Sequence, residues 1–98
     1  MLLKFKSLTE LLIFNIKYYR YLNNMSQEKL AEQSGLSPRY FSDIERGRHY
    51  PTIPKIELIA RALNIEPHML FQNCERDKNI VKSINISRQY NQTRKKKK

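Results

Sequence analysis

The chain has 98 residues, 40% of them apolar, which suffices for one small core but not for a deep cleft between two lobes. Its longest apolar run, Leu11-Leu12-Ile13-Phe14, is far below the ~20 residues of a membrane span, and no signal-peptide pattern follows Lys4 and Lys6. Lys and Arg number 19 against nine Asp and Glu, and this net charge of +10 points to nucleic acid or an anionic membrane surface.

The charge is uneven. Residues 1–74 carry ten basic and seven acidic side chains, whereas residues 75–98 carry nine basic and two acidic and end in Arg94-Lys95-Lys96-Lys97-Lys98. Cys74 is the single cysteine and cannot close an internal disulfide, so a reducing cytoplasm is the expected location, and the basic excess adds association with the nucleoid.

Strand signals are nearly absent, and helical spacing recurs from Ser7 onward. Ser7-Leu8-Thr9-Glu10 has capping-box spacing and opens a first helix over Leu8–Leu22, with Leu8, Leu12, Ile16 and Tyr19 on one face. Asn23-Asn24 closes it, because Asn tolerates the left-handed conformation at a helix end. Ser26 caps a second helix, about Gln27 to Gln33, with Leu30 and Ala31 inward. Ser34-Gly35-Leu36 is a tight turn. Ser37-Pro38 then starts a third helix that Gly47 stops near Arg46.

Thr52 caps a fourth helix, roughly Ile53 to Leu63, with Ile53, Ile56, Ile59, Ala60 and Leu63 as its core stripe. Pro67 opens a short fifth through Met69, Leu70 and Phe71. Beyond Cys74 the pattern decays: Ile80, Val81 and Ile84 allow one weak helical turn, and composition there reads mainly as a disordered basic tail. The division implied is an extension over residues 1–7, a domain over 8–74 and a tail over 75–98.

The second helix, its turn and the third helix form the informative unit. Two short helices that cross steeply need a small residue at their approach, which is Ala31, and a corner residue free to take positive φ, which is Gly35. Apolar anchors recur at Leu30, Leu36, Phe41 and Ile44. Together these six positions specify a helix-turn-helix.

Residues from about Ile13 to Phe71 resemble the Cro/repressor-type (lambda-repressor-like, XRE-type) helix-turn-helix family. The matching stretches are Ser26-Gln27-Glu28-Lys29-Leu30-Ala31, Ser42-Asp43-Ile44-Glu45-Arg46-Gly47 and Ile56 to Ile65. Asn24 stands where the family usually has glycine, Tyr19 where it has leucine, and Ser34 where an apolar residue is common. The resemblance implies an all-α, compact five-helix domain that binds double-stranded DNA as a homodimer and regulates transcription.

At about 100° per residue, Phe41 and Ile44 define the inner side of the third helix, with Glu45 at its edge. Arg39, Ser42, Asp43 and Arg46 share an outward arc, with Ser37 and Pro38 at the N-terminal end. In the docking that the resemblance implies, that end enters the major groove. Arg39 then suits guanine O6 and N7, and Ser37 and Ser42 suit base edges or phosphates. Asp43 fits either a cytosine amine or an ion pair with Arg39.

Gln27 resembles the family's backbone-contacting glutamine, and Arg46, Arg48, Lys55 and the Tyr40 hydroxyl lie where phosphates would pass. Taken singly, each of these is as readily a plain surface residue. The resemblance also implies that Arg20 and Glu45 form an ion pair that joins the first helix to the third.

Leu58 points away from the core stripe and, with Met69 or Phe71, suggests an apolar contact between two copies. His49, His68 and Cys74 match no metal spacing, no nucleophile–base pairing is evident, and neither cofactor nor catalysis is expected. The rival from another class is a protein-interaction module, coactivator-like or antitoxin-like, whose basic tail contacts an acidic partner. A membrane-surface role is disfavoured because Leu11–Phe14 fit better in the first helix's core.

Overall fold

Local capping decides where each helix starts. The computed structural model describes residues 2–86, and helices α1 (Leu8–Leu22), α2 (Gln27–Ser34), α3 (Pro38–Glu45) and α4 (Ile53–Ala62) are followed by a 3₁₀ turn, Pro67–Phe71. Ser7, Ser26, Ser37 and Thr52 each accept a hydrogen bond from the backbone N–H three residues on, at 3.1, 3.0, 3.1 and 3.4 Å. The expected return bond of the first capping box is displaced: Glu10 accepts from the N–H of Lys6 at 3.2 Å, not from that of Ser7.

Helix ends are equally local. Gly35 and Gly47 both sit at φ 76°, a conformation that a Cβ disfavours, while Asn24 after α1 and Asn64 after α4 take φ 56° and 59°. Asn24 therefore fills the family's glycine position through the tolerance of Asn for left-handed backbone.

The core is one cluster to which every element contributes. Ile16, Leu30, Phe41, Ile44, Ile59, Leu63 and Leu70 are essentially sealed from solvent. Tyr19 and Ser34 are accommodated inside: Tyr19 is buried, and the Ser34 hydroxyl donates to the Ala31 carbonyl at 3.3 Å. Asn15 is wholly buried, and its amide donates to the carbonyls of Leu70 at 2.8 Å and Gln72 at 3.0 Å, tying the 3₁₀ turn to α1.

Two expected core residues lie outside. Leu8 and Ile53 are 61% and 66% exposed, because each stands in the first turn of its helix, beyond the reach of the packed layer. A larger correction concerns the stretch after Cys74. Residues 78–86 are helical, with Asp77 Oδ1 accepting from the N–H groups of Asn79 and Ile80 at 2.8 and 3.2 Å. Val81 and Ile84 from this segment are buried in the same core.

Arg76 is buried just before it, its guanidinium 4.9 Å from the Tyr18 ring centre and 5.4 Å from that of Phe14, with Phe5 at 6.0 Å. The N–H of Asp77 donates to the Tyr18 hydroxyl at 2.8 Å. The division at residue 74 thus cuts through packed structure, while the lysine run Lys95–Lys98 lies outside the described residues.

Candidate nucleic-acid interface

The inner side of α3 is anchored twice. Phe41 and Ile44 are completely buried, which fixes the rotation of the helix about its own axis. Glu45, one residue on, is gripped by Arg20 of α1 in a two-pronged pair, Nε to Oε2 and Nη2 to Oε1, both 2.8 Å. A third guanidinium bond donates to the Met25 carbonyl at 2.8 Å. The two side chains are 10% and 7% exposed, so the expected pair is present and largely desolvated. Burial alone would favour the neutral guanidine, but the Glu45 carboxylate outweighs it and holds Arg20 above its ordinary pKa.

Gln27 joins this knot, donating from Nε2 to Glu45 Oε1 at 3.1 Å. Its side chain was expected to face phosphate, but the start of α2 lies beside the end of α3 and turns the amide toward the carboxylate. Arg20, Glu45 and Gln27 thereby clamp α1, α2 and α3 in one relative orientation.

The outer side of α3 is open. The Arg39 side chain is 82% exposed and pairs with Asp43 at 3.4 Å, four residues on, the second of the two alternatives for Asp43. Such an exposed pair contributes little to stability. Ser37 and Pro38 are exposed at the N-terminal end, and Ser42 and Asp43 are half-buried along the arc. Arg46 and Arg48 are exposed, on either side of Gly47.

Tyr40 departs from expectation. Its hydroxyl is buried with no hydrogen-bond partner among the described residues, and burial raises its pKa. The ring packs edge-on against His49, centroids 4.9 Å apart, and the Lys55 ammonium lies 4.7 Å from its centre. Wedged between α3 and the start of α4, the ring carries its hydroxyl inward, away from a passing phosphate. Lys55 is half-buried through the same contact.

Sequence reasoning missed Asn15, Arg76 and Tyr18. Asn15 carried a visible signal, as a lone amide between Phe14 and Ile16 on an otherwise apolar face. Among the described residues no group of three or more His, Cys, Asp and Glu is placed to hold a metal ion, and no helix is long and apolar enough to cross a membrane.

Two short helices packed on each other across the turn at Gly35, the second with an open polar face and a sealed apolar one, define a helix-turn-helix DNA-binding domain. Residues 16–70 match the helix-turn-helix family, and the chain belongs to it: it is a DNA-binding transcription regulator. The control protein C.SmaI of Serratia marcescens is 42% identical over 60 residues, which span 61% of this chain and 71% of that protein. The restriction-modification controller protein C.AhdI of Aeromonas hydrophila superposes with a TM-score of 0.56 at 38% identity, over 62% of this chain and 96% of that one. The biofilm master regulator SinR, solved in complex with DNA, superposes at 0.59 with 32% identity, over 62% and 98%.

Proposed function

We propose that the protein binds a two-part operator as a homodimer, with the N-terminal end of α3 in the major groove, and controls transcription of restriction-modification genes. The observation that carries the docking is the two-sidedness of α3: Phe41 and Ile44 are sealed while Arg39, at the groove-entering end, stands 82% exposed. Arg39 exchanges Asp43 for guanine O6 and N7, and Ser37, Pro38, Ser42 and Asp43 complete the base-reading arc.

Arg46, Arg48 and Lys55 bind phosphates around it, and the backbone N–H groups at the positive end of α2, where Gln27 stands, add a further phosphate contact. The names of C.SmaI, a control protein, and C.AhdI, a restriction-modification controller, support this choice of gene class.

Selection of bound fragments from random DNA tests this reading. The expected product is a pair of symmetric half-sites about one helical turn, roughly 34–36 Å, apart, found upstream of restriction or methyltransferase genes. Recovery of unrelated fragments would refute it.

A further inference from the structure

Tyr40 sits between α3 and the start of α4 without using its hydroxyl. That group is buried and has no hydrogen-bond partner among the described residues, so what Tyr40 offers its neighbours is the ring. The Lys55 ammonium of α4 lies 4.7 Å from the ring centre, within the range of a cation–π contact. The rings of His49 and Phe41 pack edge-on against Tyr40, with centroids 4.9 and 5.8 Å away, and keep it in place. Lys55 has little else to hold it. Among the described residues it enters no ion pair, and from Arg46 to Ile56 the chain has no acidic residue. It also stands in the first turn of α4, where the helix dipole disfavours a cation.

We infer that Tyr40 is a positioning residue for DNA binding: its ring face holds the Lys55 ammonium ready for a phosphate. This rests on the docking proposed above, in which Lys55 meets the DNA backbone. A lysine that is loose before binding gives up rotamer freedom when it binds, and one already held gives up less. An ammonium on a ring face keeps N–H donors that point away from the ring, so ring and phosphate engage it together. A phosphate contact reads no base, so the gain applies to selected and random DNA alike.

The test measures DNA affinity across a salt series for the full-length chain and its variants. Lys55→Gln should make the slope of log affinity against log salt shallower by about 0.9, the share of one phosphate contact. Tyr40→Leu should keep that slope but lower affinity about three- to tenfold, the cost of ordering one long side chain. In a Lys55→Gln background the same Leu substitution should cost less than about twofold, whereas a packing role would cost as much in either background. Tyr40→Phe should restore what Leu loses. Replacement of Tyr40 by pentafluorophenylalanine, which keeps the ring's shape and reverses the charge of its face, should lose affinity as Leu does and does not depend on refilling a gap.

Equal losses from Tyr40→Leu in both backgrounds would overturn the inference while leaving the docking intact. The same holds if the fluorinated ring binds DNA as the original does, or if removing the ring raises affinity, which would mean that Tyr40 withholds Lys55 from DNA. If Lys55→Gln leaves the salt slope unchanged, Lys55 touches no phosphate. That part of the docking then fails, and the inference falls with it.

Discussion

Two arginines with similar charge do different work in this domain. Arg20 is buried against Glu45 and positions α3, whereas Arg39 is exposed and faces outward. Removing one partner of a desolvated pair strands the other, at about 3 kcal/mol or more. Arg20→Ala and Glu45→Ala should each lower the melting temperature by about 12 °C or more. The double variant should lose far less than the sum, with a coupling of about 1–3 kcal/mol from the thermal unfolding cycle. Strict additivity would mean that the carboxylate and guanidinium do not depend on each other.

Arg39→Ala should leave stability nearly unchanged yet reduce discrimination at one or two base pairs by about 1–3 kcal/mol, measured as the ratio of specific to random affinity. Arg46→Ala should weaken both affinities alike. Tyr40 supplies a third residue-scale test. Its buried, unpartnered hydroxyl makes Tyr40→Phe neutral or stabilising by up to about 1 kcal/mol. Because burial raises the folded-state pKa, the unfolded chain ionises first as pH climbs past the ordinary value of 10.0, and stability falls there. The Phe variant should show a shallower alkaline decline in denaturant titrations.

At the scale of elements, what could be foreseen and what could not divide along physical lines. Helix starts depend on a side chain three residues from the N–H it caps, so Ser7, Ser26, Ser37 and Thr52 announced them in the sequence. Helix ends depend on residues that accept positive φ, and Gly35, Gly47 and Asn24 were equally visible. Neither Arg76 nor the Tyr18 hydroxyl could be placed that way, because their partners come from the far end of the chain: Tyr18 meets Asp77 across 59 residues. Residues 78–86 were obscured because neighbouring charge dominates their composition, although Val81 and Ile84 already had helical spacing.

The same reason limited the site. The arc on α3 follows from one helix's periodicity, whereas the inward turns of Gln27 and Tyr40 depend on which helix end lies beside which. Because Val81 and Ile84 are buried in the core, Val81→Ala should cost about 1–3 kcal/mol and Ile84→Ala about 2–5 kcal/mol in chemical denaturation. They should not fall within the few tenths expected of a solvated tail.

For the molecule as a whole, the proposed homodimer makes a demand that one domain cannot meet alone. A single recognition helix covers only a few base pairs, and two copies related by a twofold axis double both the contacts and the free energy of discrimination. Leu58 on α4 is 40% exposed, opposite to the sealed Ile56, Ile59 and Leu63, while Met69 and Phe71 are half-buried against the core. An exposed leucine on the face of α4 that the core leaves free is a natural centre for a small self-complementary contact. It does not touch the arc of α3, so it can be altered without disturbing base recognition. Leu58→Glu places two like charges across such a contact and should convert the dimer to monomer in sedimentation at micromolar concentration. Circular dichroism and thermal unfolding of the monomer should remain close to those of the original chain, since the side chain leaves no cavity. Affinity for the paired operator should drop by about tenfold or more, the equivalent of 1.4 kcal/mol of lost cooperation, while affinity for an isolated half-site should be unaffected. A variant that remains dimeric, or that loses half-site and operator binding equally, would remove Leu58 from the interface.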